Sequence, residues 1–193
     1  MARKVWAGAA ALAAALIGGA AAAGDVTYSF DWQGAGGYRM RGAMSFDSAL
    51  QGAPEIHAPD LTCFFIEGTH DSAPIGRWAL GMLTERTTWA LTFLPRAGAF
   101  AVYGPQHPMP QAWNMDGFGT DCGAGGFGFN IGDAAQDLCV DGRLVIGSQV
   151  APDRPFPAAP DPDVRFPPDA CMGPDLLSAL DLSPRPAGAA ASR

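Results

Sequence analysis

Asp25-Val-Thr-Tyr28-Ser-Phe30-Asp-Trp32-Gln33, Gly34-Ala-Gly-Gly37 and Tyr38-Arg-Met40-Arg-Gly-Ala-Met44-Ser-Phe46-Asp47 form the stretch on which the fold turns. Val26, Tyr28, Phe30 and Trp32 alternate with Asp25, Thr27, Ser29, Asp31 and Gln33. Tyr38, Met40, Met44 and Phe46 alternate with Arg39, Arg41, Ser45 and Asp47. Period-two alternation puts one set of side chains on a dry face and the other on a wet one. Two such runs joined by a glycine turn predict an antiparallel hairpin.

Further along, Leu61 to Glu67 is aromatic and nearly all apolar, as a strand covered on both faces would be. Ile75 to Met82 and Arg86 to Leu94 predict another hairpin, with Trp89, Leu91 and Phe93 on one face and Thr88 and Thr92 on the other. Ala99–Tyr103, Gln111–Asp116, Gly125–Ile131, Gln136–Val140 and Arg143–Val150 follow as short strands, with Asp141-Gly142 as a tight-turn signal between the last two. The expected fold is all-β: an antiparallel sandwich or barrel of about eight to ten short strands over residues 24–150.

After residue 150 the composition changes. Seven prolines between Pro152 and Pro168 argue against regular ladders or helix, so residues 151–193 read as a proline-rich extended tail wrapping the domain. Pro174 to Leu182 suits one or two helical turns, and the end from Pro184 to Arg193 reads as frayed.

At the other end, Met1-Ala-Arg3-Lys4 is a short basic head, followed by a mildly apolar run and Ala21-x-Ala23. That is the layout of a signal peptide over residues 1–23, cleaved after Ala23. The rival is a retained anchor over Val5 to Gly24, but alanine and glycine make that run weakly hydrophobic. No second long apolar run is present, so no transmembrane segment is expected after cleavage, and the mature protein is expected to be periplasmic or secreted. Cleavage removes the sole lysine and leaves ten arginines against nineteen acids. Such a surface repels phosphate backbones and argues against nucleic acid as a partner.

Four cysteines in an exported chain favour two disulfides. No Cys-x-x-Cys pair supports zinc or redox chemistry. Of three possible pairings, Cys122–Cys139 closes the glycine-rich loop locally and Cys63–Cys171 pins the tail to the body; the spacing favours this set without proving it.

The catalytic signals are sparse. Gly123-x-Gly125-x-x-Gly128 fits the dinucleotide fingerprint as a string but lacks a following helix, because Phe127 to Ile131 reads as a strand. Glycine there instead allows close backbone approach. There is no Gly-x-Ser-x-Gly elbow. His57, His70 and His107 fall in loops without metal spacing. Asp116, Asp121, Asn130, Asp133 and Asp137 are oxygen ligands on neighbouring loops, which raises a structural calcium as the one cofactor to test, although their spacing matches no EF-hand. Glu55, Glu67 and Glu85, with Asp116 and Asp121, are the carboxylates a glycosidase would draw on.

The remaining constellation is Gln111-Ala-Trp113-Asn114-Met-Asp116. An aromatic plane beside amides and a carboxylate suits a sugar ring, making Gln111, Trp113, Asn114 and Asp116 candidate ligand-binding residues, with Gly117–Gly126 as adjoining loops. The competing arrangement makes Trp113 a core residue and sets the amides to satisfying backbone. The functional expectation is a non-catalytic binding or structural module of the bacterial envelope or secreted fraction, with carbohydrate or an envelope protein as partner. The alternative is a carboxylate-dependent hydrolase acting on an extracellular polysaccharide.

Overall fold

The computed structural model describes residues 24–171; the leader at 1–23, the turns read at Pro174 to Leu182 and the end from Pro184 lie outside the described residues. The strands are β1 (Asp25–Gln33), β2 (Tyr38–Asp47), β3 (Ile56–His57), β4 (Leu61–His70), β5 (Ala73–Ala79), β6 (Thr88–Ala90) and β7 (Thr92–Leu94). They continue with β8 (Ala99–Phe100), β9 (Gln111–Met115), β10 (Phe127–Ile131), β11 (Gln136–Val140), β12 (Arg143–Leu144), β13 (Phe156–Pro157) and β14 (Ala159–Pro160). Five of these are two-residue pairings; the nine longer ones fall within the number expected. Among the described residues there is no α-helix, only single 3₁₀ turns.

Three antiparallel sheets result, ordered β14-β1-β2-β4-β5, β12-β11-β10-β9-β6 and β13-β8-β7-β3. The first hairpin forms as its alternation requires, with Phe30 opposite Gly42 and Trp32 opposite Met40. Tyr28, Phe30, Trp32, Met40, Met44 and Phe46 are all buried. They meet Trp113, Phe129, Ile131 and Leu138 from the second sheet and Phe93, Phe100 and Phe156 from the third, so one hydrophobic core serves all three sheets. Asp141 and Gly142 turn with φ of 49° and 70°, the two positive values a tight hairpin turn needs.

Two expected strand pairings differ. Ile75–Met82 does not pair with Arg86–Leu94; β5 pairs with β4, through Asp71-Ser72. Both turn residues have positive φ, 47° and 71°. The turn is therefore the kind normally announced by Asn-Gly or Asp-Gly, built here without glycine. The Arg86–Leu94 run is shared between sheets. Ala90 pairs with Ala112 and Thr92 with His57, so the chain changes sheet at the buried Leu91.

The tail also departs from expectation, because prolines do not prevent it from making ladders. Phe156-Pro157 pairs with β8 and Ala159-Pro160 with β1. Both lie at sheet edges, where a missing N–H removes no interior bond. Both disulfides are present, Cys63–Cys171 and Cys122–Cys139. Cys171 stands opposite Cys63 as an antiparallel bridge, and Phe64 N–H donates to Ala170 O at 2.7 Å.

Trp113 is the centre of the aromatic core, within 6.0 Å of Phe30, Phe64, Phe100, Phe129 and Phe156 by ring centroids. Its indole N–H donates to Gln111 Oε1 at 3.2 Å. The same amide accepts from Thr92 N–H and donates to Thr92 O and Ala101 O, at 3.2, 2.8 and 2.9 Å. Gln111 thereby ties the second sheet to the third. Replacing it with Ala strands the Trp113 indole N–H, Thr92 N–H and Ala101 O, while Thr92 O keeps its bond from Ala101 N–H, so Gln111→Ala should lower the unfolding free energy by about 2–4 kcal/mol. Denaturant titration measures this directly, and a loss below about 1 kcal/mol would show the tie to be dispensable.

Candidate functional site

Strand register on the outward face of the first sheet builds a row of charge. Asp31 is opposite Arg41, Arg41 opposite Glu67, and Glu67 opposite Arg77. Arg41 donates from Nε and Nη2 to Glu67 Oε2, at 3.1 and 2.8 Å. Arg77 grips Asp169 with both nitrogens of its fork, at 2.9 and 2.8 Å. The row therefore alternates in sign across four strands and ends on an aspartate of the tail. The hydrogen bonds from Arg77 hold the Asp169 carboxyl below the ordinary aspartate value, and Asp169 in turn raises Arg77.

The tail segment 161–171 crosses this face as a strap. Asp161 N–H donates to Thr27 O at 2.9 Å, the Phe166 ring meets the Phe65 ring edge-on, and Asp169 O accepts from Gly81 N–H at 2.8 Å. Between strap and sheet runs a groove of about 590 Å³, bounded by Asp31, Arg41, Phe65 and Glu67 on one side and Arg165 and Phe166 on the other. Arg41 and Glu67 also border a second basin of about 600 Å³, shared with Thr69, Ser72, Pro74 and Arg77. The alternation that buries Phe30 and Met40 also turns Arg41 outward, with 73% of its side chain exposed.

The residues expected to bind a ligand are placed differently. Gln111 and Trp113 are wholly buried and Asn114 nearly so. The Trp113 ring has no face open to a sugar, because the rings of Phe30, Phe64, Phe100, Phe129 and Phe156 pack around it and leave it fully buried. Asn114 occupies a bulge between the Trp89–Trp113 and Thr88–Met115 pairs with φ of 55°, and its Nδ2 donates to Phe127 O at 2.9 Å. Asp116 organises the loop that follows. Desolvation pushes its carboxyl up, but bonds from the Thr120 hydroxyl and from the Thr120 and Phe118 amides prevail and hold it down. That loop presents Phe118 to water at 84% exposure. Gly128 faces the carbonyls of Trp113 and Asn114 so closely that a Cβ would lie 2.7 Å from each, the close approach expected of glycine there.

The oxygen ligands weighed for calcium are engaged separately. Asp121 Oδ1 accepts from Gly123 N–H, Asp137 accepts from Gln149 Nε2 at 3.0 Å, and Asp133 is exposed. No three His, Cys, Asp or Glu side chains among the described residues are grouped to hold an ion. Two histidines do converge. His57 and His107 place Nε2 at 3.3 and 3.0 Å from the two oxygens of Glu55, whereas His70 stacks on Tyr38. Glu85 is exposed on a loop. The charge row was missed because it depends on the β4–β5 pairing, which hangs on a turn without glycine.

One carboxyl stands apart. Asp137 is 2% exposed, and burial raises its titration above the ordinary aspartate value, only partly opposed by bonds from Gln149 and Asn130. The folded state thus keeps this proton to a higher pH than the unfolded chain does. Stability from this group is lost as pH rises through the folded value and is regained on acidification toward the unfolded one. Asp137→Asn should be free of that change. The stability of wild type relative to the variant is therefore expected to rise as pH falls from neutral; a pH-independent difference in chemical denaturation would refute the assignment. Comparison with protein-family models, curated proteins and solved structures finds no match to this chain, so its functional reading rests on the geometry above.

Proposed function

We propose that the chain is an exported β-domain that binds its target without transforming it, working in the periplasm or outside the cell. Export is supported by the basic, apolar and small-residue layout of residues 1–23 and by two disulfides, which belong to an oxidising compartment. Among the described residues no helix is long and apolar enough to cross a membrane.

The observation that carries the binding reading is where the carboxylates stand. A glycosidase needs two carboxyls across one cleft, one of them with a raised pKa so that it can give up a proton. In the groove, Glu67 is committed to Arg41, and Asp169 beside the adjoining basin is held down by Arg77. The carboxyl that burial raises, Asp137, lines neither groove. Cleft and general acid are thus separated, which disfavours the hydrolase reading.

Two measurements test the proposal. Mass spectrometry of the unreduced protein from a periplasmic or culture fraction should give a chain beginning at Gly24 with four fewer hydrogen atoms than its reduced form. Incubation with soluble polysaccharides should release no new reducing ends; release that disappears in Glu67→Gln would establish the hydrolase in its place.

A further inference from the structure

We infer that the outward face of the five-stranded sheet takes a neutral, hydroxyl-rich polymer, a polysaccharide chain laid across the strands along the Asp31–Arg41–Glu67–Arg77 row. This rests on the binding reading above and names the ligand class of the same face.

Charge decides against the other classes. Each arginine of the row already faces an acid, in the order Asp31, Arg41, Glu67, Arg77, Asp169. At the row itself a phosphate or sulfate would have to displace Glu67 or Asp169 from its partner. Arg165 on the strap is a further cation of the groove, but Asp31, Glu67 and Asp161 line the same groove and repel an anion there. A cation would have to displace an arginine. A protein partner of ordinary size expects an apolar centre to its interface, whereas the centre of this face is the charge row. What a self-neutralised row retains is unspent hydrogen-bonding capacity. Arg41 uses Nε and Nη2 on a single oxygen of Glu67, which leaves Nη1 and Glu67 Oε1 without protein partners among the described residues. Sugar hydroxyls both donate and accept, so they can use both without separating the pair.

Spacing and shape agree. Neighbouring strands lie about 4.8 Å apart, close to the length of one pyranose ring, so successive rings would meet successive members of the row. The groove of about 590 Å³ and the basin of about 600 Å³ lie on either side of the Arg41–Glu67 pair, which borders both. Pro74 borders the basin, and the paired rings of Phe65 and Phe166 border the groove. They supply the apolar surface against which the C–H faces of a sugar pack.

The test is affinity electrophoresis of the full mature protein. The gels contain laminarin, hydroxyethylcellulose or pullulan as neutral polymers, heparin as the sulfated one, or no polymer. Retardation by at least one neutral polymer is expected. The double variant Arg41→Ala/Glu67→Ala should weaken it at least tenfold, while Ile146→Ser, exposed and outside both lining sets, leaves it unchanged. An exposed ion pair contributes little to stability, so the double variant should keep its circular dichroism spectrum and melting curve. Should it unfold, Asp31→Ala and Thr69→Ala serve in its place, with the same tenfold loss expected of the pair. No retardation by any neutral polymer, retention by heparin alone, or equal retention of wild type and variant each overturns the inference. Binding accompanied by new reducing ends would sink the non-catalytic reading and leave the placement of the ligand intact.

Discussion

The structure depends on a buried indole finding a partner for its N–H. Trp113 reaches aromatic rings of all three sheets, and an indole buried in this way must desolvate its N–H. Leaving such a donor unmet costs about 1–3 kcal/mol. Gln111, two residues earlier on the same face of β9, accepts that N–H and gives its remaining capacity to Thr92 and Ala101. The arrangement recurs at Trp32, whose indole donates to the buried Gln136 at 2.9 Å; Gln136 Nε2 then reaches Arg154 O at 2.6 Å, on the tail. Trp78, whose buried Nε1 has no partner among the described residues, shows what the other two avoid. Each glutamine converts a local requirement of one tryptophan into a link between parts of the fold that backbone ladders do not join.

The tail completes what those links begin. Phe156 enters the same aromatic cluster, so the segment after residue 150 contributes core as well as cover. Cys63–Cys171 then fixes residues 108 apart in sequence, a loop for which chain-entropy reasoning gives a stabilisation of about 4–5 kcal/mol. The strap it anchors also forms one wall of the groove. The bond that stabilises the fold therefore also shapes the outward face, and the Arg77–Asp169 pair joins strap to sheet at the end of the charge row.

Much of this was legible in the chain because burial in a half-covered sheet has a period of two. Tyr28, Phe30, Met40 and Phe46 face inward as their alternation requires, and the Asp141-Gly142 turn and both cystines stand where the sequence puts them. What escaped was information that periodicity does not carry. Nothing in the alternation of Trp89, Leu91 and Phe93 marks Leu91 as the point where the chain changes sheet. Asp71-Ser72 has the conformation of a tight hairpin turn without its glycine, so neither the β4–β5 pairing nor the row across Glu67 and Arg77 is marked in the sequence. Trp113 shows a different limit. An aromatic flanked by amides looks the same in one dimension whether the amides wait for a ligand or serve the ring itself, and the choice is made by the rings that the other sheets pack against it.

The polar groups divide by whether they titrate. Apart from Asp137, the buried ones that hold distant segments together are amides and a hydroxyl: Gln111, Gln136, Asn114 and Ser148. None of these changes charge between acid and neutral pH. The ion pairs sit outside, where solvent weakens their effect on folding and a ligand can reach them. That division makes a pH change alter the surface more than the internal ties. Asp137 breaks the pattern. Cross-strand from Asn130 and held by Gln149, it is a titrating group within a neutral frame. Acid that weakens the bonds of the depressed carboxylates Asp116 and Asp169 therefore acts in the opposite direction at Asp137, whose protonated form the folded chain favours.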